Sequence, residues 1–248
     1  MNYQPRTYRE NMRQGRFNSF LVSYKQSDLW IGVNPIETAD ELKAFTLDEL
    51  KKLWNNLEHW IYKYPLIQKS LSPIKMPAAI SPEMASMIKA GNCAGIGPMS
   101  AVAGLTSAYI GRKIEEKFHP NEIIVENGGD IYINVVDKIT LSVFAGDSPL
   151  SEKIGVKIPA GETPLGICTS SGKIGPSLSS GCADAVMIAC RNAALADAFA
   201  TAFGNKVKTG DDIEAVLTET EKFTEILLAI VICDDKIGIR GKFEIVAL

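Results

Sequence analysis

Residues 193–204 read AALADAFATAFG, placing one carboxylate, Asp197, and one hydroxyl, Thr201, four positions apart among small and apolar residues. On a helix, positions i and i+4 share a face, about 5–6 Å apart at Cβ. A carboxylate and a hydroxyl held that way offer two hard oxygen ligands to a Mg²⁺-sized cation. Such an ion takes few protein ligands and completes its shell with water or phosphate. The same spacing also suits an acid paired with a lysine and a threonine bonded back to a carbonyl.

Three further stretches carry residue types suited to ligand chemistry. In VENGGDIYI, 125–133, Asn127, Gly128 and Gly129 precede Asp130 between two β-rich runs. They predict a tight turn, because these residues tolerate positive φ, and a turn without side chains also lets a flat ring or a phosphate approach the backbone. In TSSGKIGPSLSSGCADAV, 169–186, Thr169, Ser170, Ser171 and Gly172 follow a strand, and Ser177, Ser179, Ser180 and Gly181 precede another. Hydroxyls and open amides in a glycine-rich loop suit phosphate or the polar edge of a flavin, and solvated loop serines look the same. Arg6, Arg9, Arg13 and Arg16 recur at spacings of three, four and three. If helical they form one basic stripe, expected to be solvated or in contact with a subunit, or else to hold an anion. No GxxxxGK[ST] and no GxGxxG after a strand occurs, so neither a P-loop nor a dinucleotide-binding turn is indicated. The two histidines, His59 and His119, lie in unremarkable helical contexts, which argues against Ser-His or Cys-His catalysis and a histidine zinc site.

These stretches need elements to position them. The chain has 248 residues, 46% hydrophobic and 22% charged, enough for a substantial core. Lys25, Gln26, Ser27 and Asp28 separate two β-rich runs and predict a hairpin. Thr46, Leu47, Asp48 and Glu49 match a capping box, with apolar residues at helical spacing from 47 to 64 behind them. Ser81-Pro82 reads as a helix start, Gly91 as its stop, and Pro98 as the start of a long helix rich in small residues. Beyond Pro120 come EIIVE, DIYINVV, ITLSVFA, IGVKIP, LGICTS and ADAVMIA, all strand-like. A helix over 192–203 follows, then another near Asp211, and Asp234, Asp235 and Lys236 turn a final hairpin. Strands grouped between a few helices predict an α+β fold rather than regular βαβ alternation. No linker marks a boundary, so a single domain over 1–248 is expected.

A net charge of −3 with no basic half argues against nucleic acid or an anionic membrane as partner. The longest apolar run, 226–233, has the length of a buried strand rather than a membrane span. The polar N-terminus lacks a signal-like apolar segment, and the five scattered cysteines read as reduced thiols, so a cytoplasmic protein is expected.

Taken together, the motifs resemble the ApbE-type proteins, the FAD:protein FMN transferases. That family shows N-x-G-G-D, then a T-S-G loop, then a helix written roughly A-D-A-x-A-T-A. The matches are Asn127 to Asp130, Thr169 to Gly172, and Ala196 to Ala202, in the same order and over the C-terminal 160 residues. More closely, the chain is similar to a small cytoplasmic branch of that superfamily, which shares Tyr8-Arg9-Glu10 and the helix start from Gly97 to Gly104. Residues 1–75 diverge from the transferases.

The resemblance implies an ApbE-like fold related to the T-fold, with antiparallel sheets packed against helices. It implies Mg²⁺ held by Asp197, Thr201 and a main-chain carbonyl near Ala103, at the pyrophosphate of FAD or a related flavin nucleotide such as FMN. The Asn127–Asp130 turn and the Thr169–Gly172 loop are the implied cofactor contacts. An acceptor or redox protein is the implied partner, a homodimer is an assembly it permits, and a role in redox or sulfur (homocysteine) metabolism belongs to the branch. Two departures bear on activity: the transferases' Lys-Gly is Ala103-Gly104 here, and their H-x-x-D-P-x-T-G segment is replaced by 175–181 without His or Asp. Flavin binding is therefore implied more directly than FMN transfer, FAD hydrolysis and a purely scaffolding role remain open, and Asp130 and Asp184 are the candidates for a general base.

Overall fold

The computed structural model describes residues 6, 8–9, 15–35, 39–173 and 180–248. In chain order the early strands are β1 (Asn18–Tyr24), β2 (Ser27–Asn34), β3 (Glu122–Asn127), β4 (Asp130–Asn134), β5 (Ile139–Ser142) and β6 (Ile154–Ile158). The later ones are β7 (Leu165–Ser170), β8 (Ala185–Cys190), β9 (Leu228–Cys233), β10 (Lys236–Gly241) and β11 (Glu244–Ala247). The helices are α1 (Ala39–Lys63), α2 (Leu66–Lys69), α3 (Pro82–Ala94), α4 (Val102–Phe118), α5 (Ala193–Gly204) and α6 (Ile213–Thr220). One eight-stranded sheet runs β1-β2-β3-β4-β7-β8-β9-β10 and a three-stranded sheet runs β11-β6-β5, with every neighbouring pair antiparallel.

The period-2 alternation of side chains distributes the apolar residues between two cores. Ile31, Val125, Cys168, Ile188 and Val231 face the helices, where they meet Phe199 and Phe203 of α5 and Ile110 and Ile114 of α4. Their sequence neighbours Trp30, Ile124, Ile167, Met187 and Ile230 face the small sheet and meet Val143, Val156 and Ile158. A third cluster, built on Trp60, Ile67, Met84, Met87 and Leu105, joins α1, α2, α3 and α4. The molecule is thus layered as small sheet, large sheet and helices, which is the expected α+β arrangement of antiparallel sheets packed against helices. Among the described residues no single helix is long and apolar enough to cross a membrane.

Every strand expected beyond Pro120 is present, and so are both hairpins, with Lys25-Gln26 and Asp234-Asp235 as their two-residue turns. Four details differ from expectation. The capping box at Thr46 does not start a helix. α1 begins at Ala39, and Thr46 lies fully buried inside it, its hydroxyl donating back to the Leu42 carbonyl at 2.8 Å. Burying Leu42 and packing Phe45 edge-on against Phe118 of α4 outweigh a local cap. α3 runs past Gly91 and stops at Gly95, whose φ of 75° makes the left-handed cap. Pro98 opens a short 3₁₀ turn to Ala101, and α4 proper starts at Val102. The arginine spacing does not make a solvated stripe: Arg9 is buried and Arg16 grips a buried carboxylate, while Arg13 lies outside the described residues.

Candidate functional site

α5 is almost wholly buried, and its alanines let α4 approach closely. A Cβ on Gly104 would stand 2.3 Å from the Ala193 carbonyl oxygen and 2.8 Å from the Asp197 Cβ, so only glycine fits that crossing. The contact brings Asp197 to the start of α4. Its Oδ2 accepts hydrogen bonds from the Ala103 amide at 3.1 Å and the Gly104 amide at 2.8 Å. These are two of the amides that a helix N-terminus leaves without partners, and α4 has no side-chain cap of its own. Asp197 therefore caps α4 from another helix. Thr201, one turn further along α5, is half-buried, as is Ala103.

A second carboxylate shares this position. Asp130 is the register partner of Cys168 across β4 and β7, and the field of Asp197 acts on both residues. Burial, then repulsion from Asp197, raises the Asp130 carboxyl well above its usual range. Burial pushes Asp197 up to about 7, against the lowering effect of the Gly104 and Ala103 amides. Two charge-assisted bonds contribute about 1.5–3 kcal/mol each, whereas each buried ion loses several kcal/mol of hydration and here also faces a like charge. Desolvation wins, and the pair is short of positive charge. The Cys168 thiol lies 3.3 Å from the Ala193 carbonyl oxygen, and burial followed by the two aspartates raises it too.

The Asn127–Asp130 segment is the predicted turn, with Gly128 at φ 70° and Gly129 at φ 99°. It touches both other motifs. Asn127 Nδ2 donates to the Ala103 carbonyl at 3.4 Å, and the Thr169 amide donates to the Gly129 carbonyl at 3.2 Å. The turn is held from behind by Glu126, whose side chain is fully buried. Its carboxylate accepts from the Gly129 amide at 2.7 Å, the Tyr8 hydroxyl at 2.8 Å and Arg9 Nε at 2.6 Å. Arg9 in turn donates to the Asp28 carboxylate at 3.1 Å and the Asp28 carbonyl at 2.7 Å. The Tyr8 ring packs 5.1 Å from that of Phe144. The N-terminal Tyr-Arg element is thus a clamp on the turn. Nothing in the spacing of the arginines revealed this, but one signal was visible: Glu126 is an acid directly behind the apolar run Ile123–Val125 within β3.

The structure gathers most of the sequence-selected residues but not all of them equally. Asp197, Ala103, Asn127, Gly129, Asp130 and Thr169 are linked by the bonds and register above. Ser170 is buried beside Gly204 at the far end of α5, where a Cβ on that glycine would be 3.6 Å from its hydroxyl. The Gly172 amide donates to the Ala183 carbonyl at 2.9 Å, and Ser171 leads into 174–179, so Ser177 and Ser179 lie outside the described residues. Asp184, the other base candidate, belongs to a separate group with Cys233 and Asp234 beside a cleft of ≈ 370 Å³. Its Oδ2 accepts from Lys173 Nζ at 3.0 Å and the Asp234 amide at 2.6 Å, so a cation is already supplied there.

The fold agrees with the comparisons to known proteins. The family model described as AbpE bacteria matches residues 9–223. The chain belongs to that family and is an ApbE-like superfamily member of the UPF0280 type. A UPF0280 protein of Methanosarcina barkeri is 38% identical over 187 residues, covering 75% of this chain and 73% of its own. One from Methanopyrus kandleri is 36% identical over 233 residues, covering 90% of each. Among solved structures, the Pseudomonas stutzeri flavinyl transferase ApbE superposes with a TM-score of 0.57 at 11% identity, covering 93% of this chain and 94% of that one. The flavin transferase ApbE from Vibrio cholerae superposes with a TM-score of 0.52 at 11% identity, over 91% and 96%. At that identity the likeness establishes the fold.

Proposed function

We propose that the chain binds a flavin nucleotide together with Mg²⁺, the metal on the Asp197 carboxylate, the Thr201 hydroxyl and the Ala103 carbonyl. The nucleotide's polar groups then lie on the Asn127–Asp130 turn and the Thr169–Gly172 loop. The observation that carries this reading is the Asp130–Asp197 pair: two carboxylates from different motifs, both buried and close enough to repel each other. The donor set consists of hard oxygens, and a divalent cation would relieve the repulsion, so the residues present fit the metal. When bound, the cation supplies charge neutralisation for a phosphate or pyrophosphate. Asp197 keeps the start of α4 in place, Asn127 orients the Ala103 carbonyl, and the bare glycine turn admits the ligand. The solved ApbE structures named flavin transferases support the flavin assignment.

The test is to add FAD and Mg²⁺ to the purified chain and measure both bound flavin and released AMP. Flavin retained without AMP marks a binding protein, and AMP release marks a transferase or hydrolase. Absence of any flavin or nucleotide binding, with or without metal, would refute both and leave a scaffold. Asp197→Asn is expected to abolish metal-dependent binding while still accepting the two α4 amides. Its metal-free melting temperature should equal or exceed that of the wild type, because the carboxamide removes a buried charge. Unchanged Mg²⁺-dependent binding in that variant would refute the metal assignment.

A further inference from the structure

The stretches that build the proposed site carry no cation of their own. Residues 95–111, 120–135, 164–172 and 192–205 contain neither lysine nor arginine, and Lys173 is engaged by Asp184 and Asp234. A pyrophosphate with two negative charges, added to two carboxylates and one divalent cation, would leave the site two charges short. One positive group nevertheless lies on the turn. A Cβ built on Gly128 would be 3.2 Å from Arg6 Nη2 and 3.7 Å from Arg6 Cζ, so the guanidinium rests directly on the bare backbone.

We propose that Arg6 is the phosphate-contacting residue of this site, its Nη2 meeting an anionic oxygen of the bound nucleotide across the Gly128–Gly129 turn. The inference rests on the proposed flavin-nucleotide reading. Arg6 is anchored at one nitrogen only: Nη1 donates to the Asp28 carbonyl at 2.5 Å and lies 3.4 Å from the Asp28 carboxylate. Nε and Nη2 have no hydrogen-bond partner among the described residues, and the side chain is 21% exposed. Arg9 and Arg16 differ, since all three guanidinium nitrogens of each bond to Glu126 and Asp28 or to Glu122 and the 137–138 backbone. Arg6 alone of the three combines a fixed position on the turn with donors left over. A guanidinium pre-positioned by one bond and presenting two more suits an oxyanion better than a mobile ammonium. It would also supply, from the N-terminal segment, the charge that the start of α4 lacks.

The experiment titrates the full-length protein, wild type and Arg6→Gln and Arg6→Lys, with FAD, FMN, ADP and riboflavin in the presence of Mg²⁺. Arg6→Gln should weaken FAD, FMN and ADP by about tenfold and flatten the salt dependence of FAD binding, while riboflavin is unaffected. Arg6→Lys should recover part of the loss. Equal binding of FAD by wild type and Arg6→Gln would overturn the inference while leaving the flavin reading intact. An equal loss for FAD and riboflavin, with no recovery in Arg6→Lys, would mark Arg6 as merely structural and also overturn it. A wild type that binds none of the phosphate-bearing ligands would overturn both readings together.

Discussion

Glu122 shows how one residue can carry a pH dependence that is separate from the candidate site. Its carboxylate is buried at the start of β3 and accepts from Arg16 Nε at 3.0 Å, the Val136 amide at 3.0 Å and the Asp137 amide at 3.3 Å. The Arg16 guanidinium, helped by these amides and opposed by burial, holds its pKa down to about 2. The folded value lies below the unfolded value of about 4.3, so the stabilisation is complete above pH ~4.3 and is lost as pH falls towards 2. Arg16→Ala should therefore cost about 2 kcal/mol at pH 7, less than a fully broken buried pair because the amides remain. The cost should be roughly halved by pH 3 and vanish only below pH ~2, and urea unfolding at pH 7, 5 and 3 measures the fall. A pH-independent difference would point to lost packing instead. At this scale the sequence was readable where features are local: the Asn127–Asp130 turn is announced by its own glycines. It was unreadable where partners are distant, because Glu126 and Arg9 are 117 positions apart and nothing in either neighbourhood announces the other.

At the scale of elements, the crossing of α4 over α5 decides whether the site exists. The Gly104 position admits no Cβ without displacing the Ala193 carbonyl, which is backbone and cannot swing aside. Gly104→Ala should destabilise the protein by about 3 kcal/mol through overpacking and reduce Mg²⁺-dependent nucleotide binding with it. Ala108→Gly, on the same helix and one turn on, should change stability by about 1 kcal/mol and leave binding alone. Chemical unfolding and ligand titration of both variants check this, and equal behaviour would show that the crossing does not position the site. Alanine-rich α5 was legible because its composition has few alternatives. The start of α1 was not, since the Thr46–Glu49 signature is a true local preference that lost to the burial of Leu42 and the packing of half-buried Phe45 against Phe118. A cap contributes about 1 kcal/mol, and two apolar side chains contribute more than that.

For the whole molecule, the described residues of the first 75 are woven into the rest. β2 pairs with β3 along six register positions, α1 packs on α4, and Trp30 joins the core beneath the small sheet. The large sheet is the shared wall of both cores. The protein should accordingly unfold in one cooperative transition, with calorimetric and van't Hoff enthalpies in agreement. Two resolved transitions would show that the N-terminal region or the small sheet folds as a separate unit. The α+β class was legible from strands grouped between a few helices, and the packing of antiparallel sheets against helices was implied by the family resemblance. The site's wiring was not, because it depends on which face of each helix meets the sheet.

The cap that α5 provides for α4 also fixes an order of events as the chain is made. Ala103 emerges 94 residues before Asp197, so the α4 N-terminus waits for its acceptor until α5 has been synthesised. Arg6 and Arg9 leave still earlier and must wait for the β3–β4 turn. Contacts this far apart in sequence close late, after the sheet that joins them has formed. The two carboxylates and the helix end therefore come together only in a finished molecule, and a half-made chain lacks the arrangement that the proposed metal and nucleotide binding requires.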